Sequence, residues 1–333
     1  MFHWVAVYLP LQHLSKYKHA HNSFLPLIII SNNHRVSTAT VLEGLYELRP
    51  DGVQKALKCQ KAEHTFAGMP CGIMDQYISS MGQAGNLLLI DCKTNDFKLV
   101  PFGDDSEDTP VIVVTNSNVK HQLTGSEYPD RVKQCQEAVK TLQTKYLQVH
   151  SLRDATVEML DAVKDSMEEV VYRRAKHVID ENARTLNTVE ALKAKDYEAA
   201  GVYMTQSHHS LRDDYEVSCE ELDFLVNVAS HVSGVYGSRM TGGGFGGCTV
   251  TLVKKSAVKE LEKYLHEHYF KQYHIRCDCY EALPSAGARF LDIQSAIKQE
   301  DQKMQAPWLD YLVPGLVVIL SVGVGLSFFL QRK

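Results

Sequence analysis

The 333 residues carry 44% hydrophobic and 23% charged side chains, an ordinary globular composition, long enough to bury a sizeable core as two domains. A formal net charge of −5, with lysines and arginines scattered along the chain, removes the electrostatic case for a nucleic-acid partner. Eight widely spaced cysteines and the absence of a secretory signal point to reduced thiols rather than a disulfide framework.

In chain order, the N-terminal segment offers a short apolar run, Phe24–Ile30, broken by Pro26 and readable as a buried or edge strand. Residues 36–66 form two helical segments separated by turn signals at Arg49, Pro50, Asp51 and Gly52, and Gly68 is a helix stop. Three strands follow in "NLLLIDC", "FKLVPF" and "PVIVVTNSN", each short, β-rich and bounded by Gly, Asn, Asp or Pro. From Pro129 the period becomes helical, with Val132, Cys135, Val139 and Leu142 on one stripe. Helices continue through "MEEVVYRRAKHVIDENARTLNTVEALKAKDYEAAGVYMTQSHHSLRDD" and "CEELDFLVNVASHV". A glycine loop, the strand "CTVTLVKK", the helix "SAVKELEKYLHEHYFKQY" and the strand "RCDCYEAL" complete an α+β arrangement. A polar linker then leads to Leu312–Leu330, which contains no charged or strongly polar residue. At helical rise such a stretch spans about 28 Å, so it predicts a transmembrane-like tail anchor, with Trp308 and Tyr311 at one interface and Arg332 and Lys333 at the other. A buried core helix is the alternative.

Four places carry candidate chemistry. "MTGGGFGGCTV" holds five glycines within positions 242–247, namely Gly242, Gly243, Gly244, Gly246 and Gly247. Such a run lets successive N–H groups face an anion without Cβ clashes, although glycine alone does not separate phosphate binding from a tight hairpin. In "CGIMDQ", Asp75 stands near a helix start, where a carboxylate accepts a proton from a substrate hydroxyl or caps the helix. His208 and His209 in "SHHSLRDDYEVS" point about 100° apart on a helix, which disfavours one shared ion and favours a packed or solvated face. Cys277 and Cys279, with His274 nearby, form a lone C-x-C that two strand-borne thiols explain equally well, and no metal is assigned there.

Six segments resemble the galactokinases, a branch of the GHMP sugar and metabolite kinases: "AEHTFAGMPCGIMDQYISSMG", "LLLIDC", "TNSNVKHQLTGSEYPDRVKQC", "RRAKHVIDENART", "SHHSLRDDYEVSCEELD" and "GVYGSRMTGGGFGGCTVTL". They stand in the family's order and span roughly Val36 to Leu291. The resemblance implies a two-domain fold with a mixed N-terminal sheet, and transfer of the γ-phosphoryl of Mg²⁺-ATP to the anomeric hydroxyl of galactose. By resemblance, Asp75 matches the catalytic aspartate, Gly72 and Tyr128 match sugar-contacting positions, and Gly242–Gly247 match the loop lining the nucleotide phosphates. The implied domains are a divergent segment 1–35, the remainder of the N-terminal domain over 36–118, a C-terminal domain over 119–292, a linker over 293–308 and the anchor over 309–333.

Two departures qualify this. The family's Gly-Glu-His-x-Asp stretch and its arginine have no match here, and "LIIISNNHR" stands where a glycine- and serine-rich phosphate loop precedes the first helix. That loop is where the family's magnesium-coordinating serine lies, and no metal ligand is assigned in this chain. The expectation is an incomplete N-terminal domain and a weakly active or inactive kinase as written: cytoplasmic, monomeric and tail-anchored. The alternatives are an N-acetylgalactosamine kinase, a non-catalytic sugar- or nucleotide-binding relative, and an inactive fragment.

Overall fold

The computed structural model describes residues 2–6, 32–48, 51–68, 71–103, 106, 108–120 and 127–290. Two compact units divide the chain, one formed by Met1–Val5 with Gly85–Leu283 and the other by Ala6–Ala84 with Pro284–Lys333.

The second unit is helical where described: α1 (Asn32–Leu45), α2 (Gly52–Phe66) and α3 (Met74–Met81). The turn signal between α1 and α2 works through Asp51, the N-cap of α2, whose carboxylate accepts from Val53 N–H at 3.3 Å. Gly68, at φ +65°, follows the Ala67 C-cap and ends the helix as its glycine suggests. Ion pairs from Arg35 to Glu63, and from Lys55 to Glu43 at 2.7 Å, tie α1 to α2. The segment 284–290 returns to α3, where Gly287 N–H donates to Gly82 and Ala288 N–H donates to Ser79.

The first unit carries two sheets. One has the order β1-β2-β3, from Phe2–Ala6, Asn86–Asp91 and Asp96–Pro101, with β2 and β3 antiparallel. Leu87 to Ile90 are all buried, so the unbroken apolar run of β2 reflects two covered faces. The other sheet has the order β5-β6-β4-β7, from Val235–Thr241, Gly246–Lys254, Pro110–Lys120 and Asp278–Ala282, antiparallel throughout. The helices are α4 (Glu127–Gln143), α5 (Val157–Asp161), α6 (Glu169–Lys193), α7 (Tyr197–Asp213), α8 (Glu220–Ala229) and α9 (Val258–Tyr273). On α4 the apolar stripe is only partly realised: Leu142 enters the core with Ala138, whereas Val132 is 40% exposed. Helices α8 and α9 cover one face of the larger sheet, burying Leu225, Leu261, Leu265 and Tyr269 against Val111, Val113 and Val253. On the same sheet α7 lies directly against β5. A Cβ on Gly201 would stand 2.0 Å from the Tyr236 carbonyl oxygen, and one on Gly237 would stand 2.1 Å from that of Gly201. Only glycine at both positions permits that approach.

The architecture is α+β, and one part of the expected fold is corrected. No helix among the described residues is long and apolar enough to cross a membrane. The described fold is thus corrected to α+β without a membrane-spanning helix; Leu312–Leu330, where a transmembrane-like helix was expected, lies outside the described residues, as does the strand expected at Phe24–Ile30. Neither β1 nor β5 was anticipated. All eight cysteines are free thiols.

Candidate active site

The expected site residues fall in both units. Gly72 and Asp75 belong to the helical unit, and Tyr128 and the glycine run belong to the sheet-bearing one.

Asp75 is the second residue of α3 and is exposed; the cap position is held by Ile73, whose side chain makes no capping bond. The carboxylate thus sits in the first turn without serving as the cap, where the helix macrodipole favours a negative charge. The approach to α3 is fastened from α2. Gln60 Nε2 donates to the Cys71 carbonyl at 3.2 Å, and His64 Nε2 meets the same oxygen at 2.9 Å. Gln76, fully buried, turns its amide towards Cys71 Sγ at 3.5 Å, and Ser80 Oγ donates to the Gly52 carbonyl at 2.9 Å. These bonds fix the chain on both sides of Gly72. Tyr128 lies in the first turn of α4.

The glycine run forms the connection between β5 and β6, so the hairpin left open by composition is real and now has a shape. Gly242, Gly244, Phe245, Gly246 and Gly247 all have positive φ. One side of the connection is pressed against the chain: Phe245 N–H donates to the Val217 carbonyl at 2.8 Å, and a Cβ on Gly244 would meet that oxygen at 2.0 Å. The other side is open, with no atom within 4 Å of a Cβ built on Gly242, Gly243 or Gly247. Ser117 Oγ donates to the Gly247 carbonyl at 2.8 Å and holds the base of the connection to β4. A closely held backbone with bare glycines facing outward is suited to receive a bulky anion.

Buried polar residues that carried no assigned role in the sequence support this hairpin. Met240 N–H donates to His208 Nδ1 at 3.3 Å, which leaves the ring proton on Nε2, 3.2 Å from Asp223 Oδ1. Burial acts to raise the Asp223 pKa, but hydrogen bonds from His208 and Ser218 outweigh it and hold the carboxyl below its ordinary value. His208, on α7, is thus a structural support for the strand entering the hairpin, and His209 does not share its role. Next to Met240, Arg239 is largely buried, with 11% of its side chain exposed, its Nε donating to the Met240 carbonyl at 3.0 Å and its Nη1 lying 3.8 Å from Glu181. Glu181 also pairs with Arg184 and accepts from Ser207. Burial would raise the Glu181 pKa, yet Arg239, His177 and Arg184 together keep it below the usual carboxylate value. His177 stacks on Tyr215 with ring centroids 4.5 Å apart. Its Nδ1 lies 3.0 Å from Ser210 Oγ, which donates onward to Asp214. Its pKa is lowered to about 4 by burial. The periodic spacing of His177, Glu181 and Arg184 on α6 was the available signal, since three ionisable residues on one stripe of a helix require partners if that stripe is buried.

Comparison with known proteins agrees with these features. Residues 188–271 match the family described as GHMP kinases C terminal. Human galactokinase is 51% identical over 237 residues, covering 70% of this chain and 58% of that protein. Bovine galactokinase is 48% identical over 259 residues, covering 77% and 62%. The crystal structure of Lactococcus lactis galactokinase complexed with galactose superposes with a TM-score of 0.71 at 33% identity, covering 76% of this chain and 64% of that one. The chain thus spans about three fifths of the length of these curated relatives. On these grounds the chain is similar to the galactokinases over about three quarters of its length and matches the GHMP kinase C-terminal family at residues 188–271.

Proposed function

We propose that this chain transfers the γ-phosphoryl group of ATP to the anomeric hydroxyl of galactose, forming galactose 1-phosphate and ADP. The observation carrying this reading is the half-open glycine hairpin, in a chain about half identical to human and bovine galactokinase across the matched residues. In it, Gly242, Gly243, Gly244, Gly246 and Gly247 receive the nucleotide phosphates through backbone N–H groups. Asp75 accepts or orients the proton of the attacking hydroxyl, and Gly72 and Tyr128 contact the sugar. As the hydroxyl oxygen bonds to the γ-phosphorus, the bond to the ADP oxygen breaks and the proton passes to the carboxylate. Such chemistry rests on positioning and charge stabilisation more than on covalent work by the protein. Magnesium enters with the nucleotide as part of the substrate: the hairpin offers N–H donors that suit phosphate, whereas a hard cation takes oxygen ligands.

A rate expectation follows from "LIIISNNHR" standing in place of the family's glycine- and serine-rich loop. In the family that loop lies against the nucleotide phosphates and carries the magnesium-coordinating serine, so turnover by this chain is expected to be slow. The test is ADP release with galactose and with N-acetylgalactosamine, alongside calorimetric titration of ATP and galactose. Galactose is expected to be the preferred acceptor, and Asp75→Asn to lower turnover by about 10²-fold or more with an unchanged unfolding midpoint. Equal turnover by Asp75→Asn, or preference for the acetylated sugar, refutes the assignment. ATP and galactose binding without any turnover would instead establish a sensor.

A further inference from the structure

We propose that His266, Cys277 and Cys279 form a zinc site that fastens α9 to β7. Their donor atoms, one imidazole nitrogen and two sulfurs, all lie within 4.8 Å of one another. A tetrahedral zinc with ordinary Zn–S and Zn–N bonds needs separations of about 3.5–3.8 Å, so a small side-chain adjustment closes the set. The adjustment is available because His266 is exposed and its ring can rotate without disturbing the core. The two cysteines, two residues apart at the start of β7, face the same side of the sheet, and α9 packs over that side.

The sequence pointed towards His274, three residues before the C-x-C; the fold instead uses a histidine eleven residues before Cys277. His274 terminates α9 in a left-handed conformation at φ 56°, whereas His266 lies two helical turns earlier, where α9 crosses the thiols. The surroundings are those of a metal ligand set. Thr115, fully buried on the neighbouring strand, places Oγ1 3.6 Å from Cys279 Sγ, within reach to donate to a thiolate. An outer group of this kind orients a ligand and adjusts its basicity. Two thiolates and an imidazole select a zinc-like ion over magnesium, so the site is distinct from the magnesium of phosphoryl transfer. With three protein ligands, water completes the tetrahedron.

The site also has a place in the fold. Cys279 registers with Thr115, Thr115 with Thr249, and Thr249 with Met240, so the four form one row across the sheet. Thr249 is two residues beyond Gly247, and the ion therefore anchors the outer end of the row on which the hairpin stands.

The full chain, reduced and stripped of metal, would be titrated with Co²⁺. A thiolate-to-cobalt charge-transfer band saturating at a single equivalent, displaced by Zn²⁺ and accompanied by a rise in unfolding temperature on zinc addition, is expected. Cys277→Ser with Cys279→Ser should abolish the band. His266→Gln, a surface change that spares the fold, should weaken cobalt affinity by at least about tenfold while leaving the reduced, metal-free unfolding midpoint unchanged. Absence of the band at stoichiometric cobalt, its persistence in the double serine variant, or an unaltered affinity in His266→Gln would overturn the proposal.

Discussion

Replacing Gly244 by alanine separates the hairpin's structural side from its open one. The added Cβ would lie 2.0 Å from the Val217 carbonyl oxygen and 3.0 Å from both the carbonyl carbon and Cβ of Val217, where ordinary contact begins near 3.4 Å. The hairpin and residue 217 must then move apart by about 1.4 Å, which breaks the 2.8 Å bond from Phe245 N–H to the same oxygen. Losing that bond costs about 1–3 kcal/mol, and holding alanine at φ +86° adds about 1–2 kcal/mol. Val217 also belongs to the cluster of Leu211, Leu222 and Met240, against which Phe245 packs, so displacement opens apolar surface as well. A loss of about 3–4 kcal/mol is expected, a shift of roughly 10 °C for a unit of this size. Gly243→Ala is the control, because nothing lies within 4 Å of its Cβ. It should keep stability within about 0.5 kcal/mol while raising the KM for ATP by crowding the phosphate face. Denaturant titration of both variants, followed by ATP-dependent kinetics, decides the matter. Equal midpoints for the two variants would show that the hairpin is not held through Val217.

Two further predictions concern the support beneath the hairpin. Arg239→Met leaves Glu181 buried with part of its compensation removed, and should cost about 3–5 kcal/mol in denaturant titration; adding Glu181→Gln should recover part of that loss, and no recovery would refute the coupling. His177, lowered to about 4 by burial, takes up a proton on unfolding between that value and its ordinary 6.5. The unfolded state therefore binds more protons in this window, and stability falls as pH drops from about 6.5 towards 4, by up to about 3 kcal/mol. His177→Gln should flatten that part of the profile, measured as unfolding midpoint against pH.

The helices and most of the strands were legible because their signals are local. Asp51 and Gly68 bound α2, and the continuous apolar run of Leu87–Ile90 marks a strand covered on both faces. Strand β5 escaped because "VYGSRMT" alternates poorly and carries Gly237, whose absent side chain answers to the approach of Gly201 from α7, 36 residues earlier. Only the fold brings that pair together. Of the candidate site, Asp75 was found as a carboxylate near a helix start, but the cap reading failed, because the chain enters α3 through Ile73. The residues supporting the hairpin, Arg239 with Glu181 and His208 with Asp223, are separated by 58 and 15 positions, and pairing over such distances leaves no periodic trace.

The glycine run posed a choice between a hairpin and a phosphate cradle, and the two turn out to be compatible. A connection with five residues at positive φ is inexpensive where four are glycine, and the exception is Phe245, at φ 58°. A phenylalanine there carries a strain of about 1–2 kcal/mol, and persists because its ring packs beside Val217 and Met240 while its N–H binds the Val217 carbonyl. Phe245 thus acts as the pin that keeps the flanking glycines from relaxing into other backbone states. Pinned on one side, Gly242, Gly243 and Gly247 keep their bare faces outward without a side chain to shield them. A backbone surface fixed in advance loses little entropy when an anion arrives, which is the property a site for phosphoryl transfer requires.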